Sequence, residues 1–440
     1  MSVRNLALGV IILFGGLNGP ALAQTNQDAD QKALGQKKES VRKQKEGLLP
    51  PKEALEQKDS EIAPDAYQPK GADLGSFMLM PKMEVDLART NNVYSTNYDK
   101  VGDFITTYRP EVALNSRFER HSLTSTLRGE RKVFHNYDKE NVTNGFAQLA
   151  GRYDIGERNN LNASVSYTHD HEDRGSPDDV GGLHPTEFHY LAFNGSGTMY
   201  TGNLLSTLGF TAVRRDWEDT VTSTGIAPSH LRNRNDYEVV WREGYEFVPS
   251  YSLIGEAAYL ARRYVHDADQ SGYERDSDGI RISAGLGVDV SDLIRGDFLV
   301  GWFRHDYSDG RLTDPSGLFV KALFNWTPTR LTTVIPSIER SVEETTATGV
   351  AALLHTAVSV TVRHELERNI ILTPAFSYSK DEQQGGGLTT STYDASLRAT
   401  YLLNRNLYTS LEVRERHKLG NVDGSGFNQT IALLRLGIQY

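Results

Sequence analysis

The densest group of potential ligands in this chain is Thr168-His169-Asp170-His171-Glu172-Asp173. Alternate side chains of a strand share a face, so His169, His171 and Asp173 are expected on one side, as weak candidates for holding a hard or borderline cation. The run also opens an acidic stretch, and the competing reading is solvated loop charge, or loose divalent-ion binding near lipopolysaccharide. Nucleophilic chemistry has less support. His355 and Ser359 share a parity but lie four residues apart, too far for a direct hydrogen bond along an extended chain. Gly195-Ser196-Gly197 lacks the spacing of a nucleophile elbow, and Gly385-Gly386-Gly387 has neither a following helix nor a lysine to cradle phosphate. The sequence contains no cysteine, which excludes thiol chemistry and thiolate metal sites. We expect neither an enzyme nor a cofactor.

A second set of residues is spread along the whole chain. Arg109, Arg117, Arg128, Lys132, Arg242, Arg262, Arg281, Lys321, Arg363, Arg398, Arg414 and Arg435 alternate with apolar neighbours, and so do Glu111, Glu130, Glu238, Glu246, Glu256, Asp289, Asp394 and Glu412. Such charges can line a hydrated lumen, where a modest excess of Arg and Lys lowers the barrier to anions. Alternatively the Arg/Glu ladders only stiffen a wall by cross-strand pairing.

Either role requires strands. The last stretch, Thr430 to Tyr440, carries Ala432, Leu434, Leu436, Ile438 and Tyr440 on one parity and Arg435 on the other. Alone, it reads equally well as an end strand of a soluble sandwich. Its open edge needs a partner, and pairing with the strand that begins near Phe77 would close a barrel. Phe77, Ile438 and Tyr440 are therefore expected to serve closure and assembly. Deleting residues 431–440 should abolish assembly, whereas Arg435→Ala should change only conductance.

Alternation continues without a convincing helix, giving about eighteen spans of bilayer-crossing length. They are 77–88, 103–116, 122–134, 143–155, 161–171, 187–200, 204–217, 235–247, 251–264, 279–290, 296–307, 317–326, 331–342, 349–364, 370–380, 392–403, 407–417 and 428–440. The faces near Phe298 and Leu331 are the least distinct. Short links such as 201–203 and 248–250 alternate with long acidic ones such as 169–187 and 343–348, the asymmetry of an outer-membrane barrel. An even count places both barrel ends on one rim, the periplasmic one.

The first residues read as a secretory signal: Arg4, an apolar run from Leu6 to Leu17, then Ala21-Leu22-Ala23. Residues 1–23 are the expected signal peptide, 24–75 a flexible periplasmic extension rich in Gln, Lys and Glu, and 76–440 the barrel. The extension could also dock on a partner or plug the pore. A mean hydropathy of -0.47 does not argue against the membrane, because lipid-facing and lumen-facing residues average out in a barrel. The net charge of -10 argues against nucleic acid as a partner.

Phe77-Met-Leu-Met-Pro81, Thr90-Asn-Asn-Val-Tyr94, Gly102-Asp-Phe-Ile105 and Tyr108-Arg-Pro-Glu-Val112 resemble the opening strands of the outer-membrane family called putative beta-barrel porin type 2. The turn departs from the family pattern, having Thr90 where an acidic residue usually stands beside the asparagine. The resemblance implies a barrel and an association with exopolysaccharide production, with no catalytic residues to carry over.

The expected protein is all-β: a transmembrane antiparallel barrel of about eighteen strands with a disordered N-terminal extension, in the bacterial outer membrane. Its expected function is passive translocation of an anionic solute, namely export of an acidic exopolysaccharide. The alternatives are a general or anion-selective diffusion porin and a closed structural or adhesion barrel. Expected partners are outer-membrane lipid and lipopolysaccharide, the barrel-assembly machinery and periplasmic polysaccharide-export components.

Overall fold

The computed structural model describes residues 67–440 except 291, 292, 346 and 348. The expected signal peptide and most of the expected extension lie outside the described residues. Within 67–75, Ala72 and Asp73 pair antiparallel with Leu79 and Met78.

The barrel strands are β1 (Phe77–Thr90), β2 (Asp103–Ser116), β3 (Ser122–Phe134), β4 (Val142–Ile155), β5 (Asn159–His171) and β6 (Glu187–Thr201). They continue with β7 (Leu204–Trp217), β8 (Arg234–Val248), β9 (Tyr251–Tyr264), β10 (Ser277–Val290), β11 (Ile294–Tyr307) and β12 (Ser316–Thr329). The last six are β13 (Thr332–Glu343), β14 (Ala352–Glu367), β15 (Ile370–Gln384), β16 (Thr389–Leu402), β17 (Leu407–Gly420) and β18 (Phe427–Gln439). Each pairs antiparallel with the next and β18 pairs with β1, which closes an 18-stranded barrel. A small hairpin, Thr220–Thr222 with Gly225–Ala227, decorates the link between β7 and β8.

Burial is inverted relative to a water-soluble core. On β1, Leu87 is 55% exposed while its neighbour Asp86 is fully buried. Trp241, Leu253, Ile282, Leu397 and Leu436 likewise point out of the wall. Closing the sheet leaves no edge unpaired, and period-2 alternation sends apolar side chains outward to lipid and polar ones inward.

The seam runs from Lys82 opposite Gln439 to Thr90 opposite Ile431, placing Ile438 opposite Met83. The Tyr440 N–H donates to the Pro81 carbonyl at 3.1 Å, and its ring faces outward at the short-turn rim. The seam is offset by barrel stagger. Phe77 therefore lies beyond the ladder, its ring against Phe118 at 5.5 Å, rather than opposite the terminal strand.

Two segments turn into the barrel. β13 leaves β12 beyond the Arg340–Val320 pair, yet it stays paired with β14 up to Glu343 opposite Leu353. Val342, Ala352 and Leu354 thereby pack on Ile254, Leu299, Phe303 and Phe319, which are inward side chains of β9, β11 and β12. The tip is driven in by burial of apolar groups, with Val350, Ala351 and Leu353 all nearly inaccessible. The second segment, residues 172–186, crosses from β5 toward β17 and β18. There the Lys418 ammonium donates to the Gly175 carbonyl at 2.9 Å. Gly175 has a φ of +72°, and a Cβ on it would sit 2.7 Å from the Phe427 ring. Only glycine meets both demands.

Candidate solute path

The interior wall is a ladder of paired charges. Across the seam, Arg435 donates to Asp86 at 2.7 and 2.8 Å and lies 3.3 Å from Glu84. Arg109 bonds the same Asp86 and also Glu130, the latter at 2.6 Å. Arg128 pairs with Glu111 at 2.8 Å, Arg398 with Glu412 at 2.6 Å and Arg414 with Asp394 at 2.6 Å. Arg281 joins Glu238 and Glu256 at 2.8 and 3.2 Å, and Arg242 reaches Asp297 at 2.5 Å. Arg117 lies near the short-turn rim, 2.5 Å from Asp73. Lys321 stands opposite Glu339, and Arg363 opposite Thr333.

Of the two arrangements open to these charges, pairing with a carboxylate is the one found for Arg109, Arg128, Arg242, Arg262, Arg281, Arg398, Arg414 and Arg435. Same-face neighbours across a ladder sit close enough for a guanidinium to reach a carboxylate, and most of these strands supply one. Arg435 also loses its expected role as a residue affecting conductance alone, because it bonds a carboxylate of the opposite seam strand.

The inward β13–β14 tip is anchored by Glu344. Its carboxylate accepts from Arg262 and from the Tyr264 hydroxyl, and the Tyr307 hydroxyl lies 3.3 Å away. Tyr307 donates to the Ala351 carbonyl at 2.9 Å and Arg275 to that of Val350 at 3.1 Å. Behind this group, Asp236 holds Arg215, Arg262 and Arg234 at 2.5, 3.0 and 3.3 Å. Burial alone would raise the Glu344 carboxyl, but Arg262, Arg234 and Arg275 outweigh it and hold it below the usual carboxylate range.

Residues 172–186 are pinned by the Arg174–Glu140 pair, bidentate at 2.9 and 2.7 Å, and by Arg232, which lies 2.7 Å from Glu172 and 3.2 Å from Asp178. Burial pushes the Glu172 carboxyl up despite Arg232. Against residues 171–174 lies a cavity of about 80 Å³ lined by Arg109, Lys132, Arg174 and Arg416 together with Glu140, His171 and Asp173.

The expected His169, His171 and Asp173 grouping is corrected. His169 stacks on His189, with ring centroids 4.7 Å apart, beside Tyr167 on the outward face. His171 turns inward to Asn144 at 3.0 Å and lines the cavity with Asp173. The strand ends at His171, so its alternation no longer governs the residues beyond. Among the described residues no group of three or more His, Asp or Glu is arranged to hold a metal ion.

Sequence reasoning missed Asp86, Asp236, Glu344 and the Arg174–Glu140 clasp. Glu84 and Asp86 carried a usable signal: acids on the inward parity of the first strand, opposite Arg435 on the last.

A closed antiparallel barrel with an apolar outer belt and a charged, cavity-bearing interior is a porin-like outer-membrane β-barrel. The family model for putative beta-barrel porin 2 matches residues 64–440, and the chain belongs to that family. Among solved structures it is similar to the outer membrane protein OpdK of Pseudomonas aeruginosa, with 12% identity and a TM-score of 0.44, covering 82% of this chain and 99% of that one. It is also similar to OccK2 (OpdF) of P. aeruginosa in complex with glucuronate, with 10% identity and a TM-score of 0.43, covering 82% and 98%. A third similarity is to the ferric-catecholate import receptor Fiu of E. coli, with 9% identity and a TM-score of 0.39, covering 84% and 82%. No curated protein matches the chain.

Proposed function

We propose that this protein is an outer-membrane channel that passes an anionic solute without an energy source of its own, and that the solute is an acidic exopolysaccharide leaving the cell. The observation that carries the reading is a cavity lined by Arg109, Lys132, Arg174 and Arg416, in a chain that is acidic overall. Clustered cations inside a low-dielectric wall attract anions at short range and repel cations. The family resemblance supplies the link to exopolysaccharide. Lipopolysaccharide, the barrel-assembly machinery and periplasmic export components are the proposed partners.

The two inward segments favour a second reading, a diffusion channel for small anions, because they narrow the mouth that a polymer would have to thread. Planar-bilayer recording separates the two. Current blocked by polyuronate but not by neutral glucan supports export. Anion-selective current insensitive to polyuronate supports small-solute diffusion, and a barrel that carries no current is a closed structural or adhesion barrel.

A further inference from the structure

The carboxylates of the cavity region are not equivalent. Glu140 is engaged by the Arg174 fork, Glu130 and Asp86 by Arg109, and Asp394 by Arg414 and Arg416. Asp173 differs: among the described residues its carboxylate accepts no hydrogen bond. The nearest ionisable side chain is His171, its Nε2 3.8 Å away, and 41% of the Asp173 side chain is exposed. Its flanking residues are fixed, Glu172 by Arg232 and Arg174 by Glu140, so the chain delivers this one carboxylate among cationic groups without bonding it to any.

We propose that Asp173 is the tethered counter-anion of the cavity, holding the place that a carboxylate group of the solute takes beside Lys132 and Arg416. This deepens the anion-channel reading and rests on it. A carboxylate held by field alone can be displaced by another carboxylate through rotation about its own side-chain bonds, whereas the bidentate pairs of the wall cannot be exchanged so cheaply. Residue 173 therefore sets how strongly the cavity competes for acidic sugars. Burial alone would raise the Asp173 carboxyl, but Lys132, His171, Arg416 and Arg414 hold it below the ordinary range, in keeping with a positive field at this point.

The test is block of single-channel current by monomeric glucuronate in the full-length protein, for wild type, Asp173→Asn and Asp173→Glu. Removing one like charge a few ångströms from the bound carboxylate should tighten the block by Asp173→Asn about tenfold. Asp173→Glu, which keeps the charge, should block as wild type does. Heat-modifiable gel mobility verifies that each variant forms the barrel. Anion-selective wild-type current with unchanged or weaker block in Asp173→Asn overturns the counter-anion assignment while leaving the channel intact. A wild-type barrel without current overturns both readings.

Discussion

Replacing Glu344 by alanine removes the carboxylate on which Arg262, Tyr264 and Tyr307 converge. Asp236 is then left as the neighbouring anion for Arg215, Arg234 and Arg262. Removing one partner of a buried ion pair costs about 3–5 kcal/mol when the remaining charge is uncompensated; Asp236 still faces Arg262, so the low end, about 3 kcal/mol, applies. At about 1.4 kcal/mol per factor of ten, the balance between a docked and a released β13–β14 tip shifts by roughly two powers of ten. The apolar packing of Val342, Ala352 and Leu354 persists, so the tip should release intermittently rather than permanently. The expected record is a larger mean conductance with resolved transitions to a wider state, together with protease cleavage within residues 343–352. Acid should mimic the substitution. Because Glu344 titrates below its ordinary value of 4.5, its contribution is complete above that value and is lost as pH falls through the depressed one. Steady wild-type conductance and an uncut tip in Glu344→Ala would refute the anchoring argument and assign the docking to apolar packing alone.

Other perturbations follow from the same geometry. Arg435→Ala strips Asp86 of its guanidinium partner across the seam while Arg109 remains, and should weaken the barrel by about 2 kcal/mol, read as a lower urea midpoint of unfolding in detergent. Deletion of residues 431–440 removes the whole β1–β18 ladder and should leave no heat-modifiable band on a gel; normal insertion would refute the closure argument. Gly175→Ala forces a Cβ against Phe427 and Ser95 at a positive φ, and should release residues 172–186, detected as new cleavage there and a larger conductance. EDTA should leave the unfolding temperature unchanged, since His169 faces away from the cavity that His171 and Asp173 share.

The strands were legible because lipid outside and water inside impose a strict period of two. Residues 103–116, 122–134, 204–217 and 251–264 were delimited from alternation alone with the bounds found in the barrel. The signal failed where the environment changed. Val350-Ala-Ala-Leu-Leu354 is apolar on both parities, the mark of a segment covered on both faces, and that is how the inward tip lies. The faces near Leu331 are indistinct for another reason: the β12–β13 register shifts between Trp326 and Thr329, which breaks the alternation there. Ion pairing was less accessible. Which guanidinium meets which carboxylate depends on the stagger between strands, and Arg242 reaching Asp297 three strands away leaves no trace in sequence spacing.

The clasp formed by Arg435 with Asp86 and Glu84 also acts as a proofreading device for closure. A slip of one residue between β1 and β18 would turn Arg435 toward hydrocarbon and bring Leu434 or Leu436 into the charged interior, while Asp86 lost that partner. Each misaligned closure therefore carries a penalty of several kcal/mol, concentrated at one point of a long ladder. Backbone pairing alone scarcely distinguishes neighbouring registers, so this buried charge selects the register in which the two ends of the barrel join.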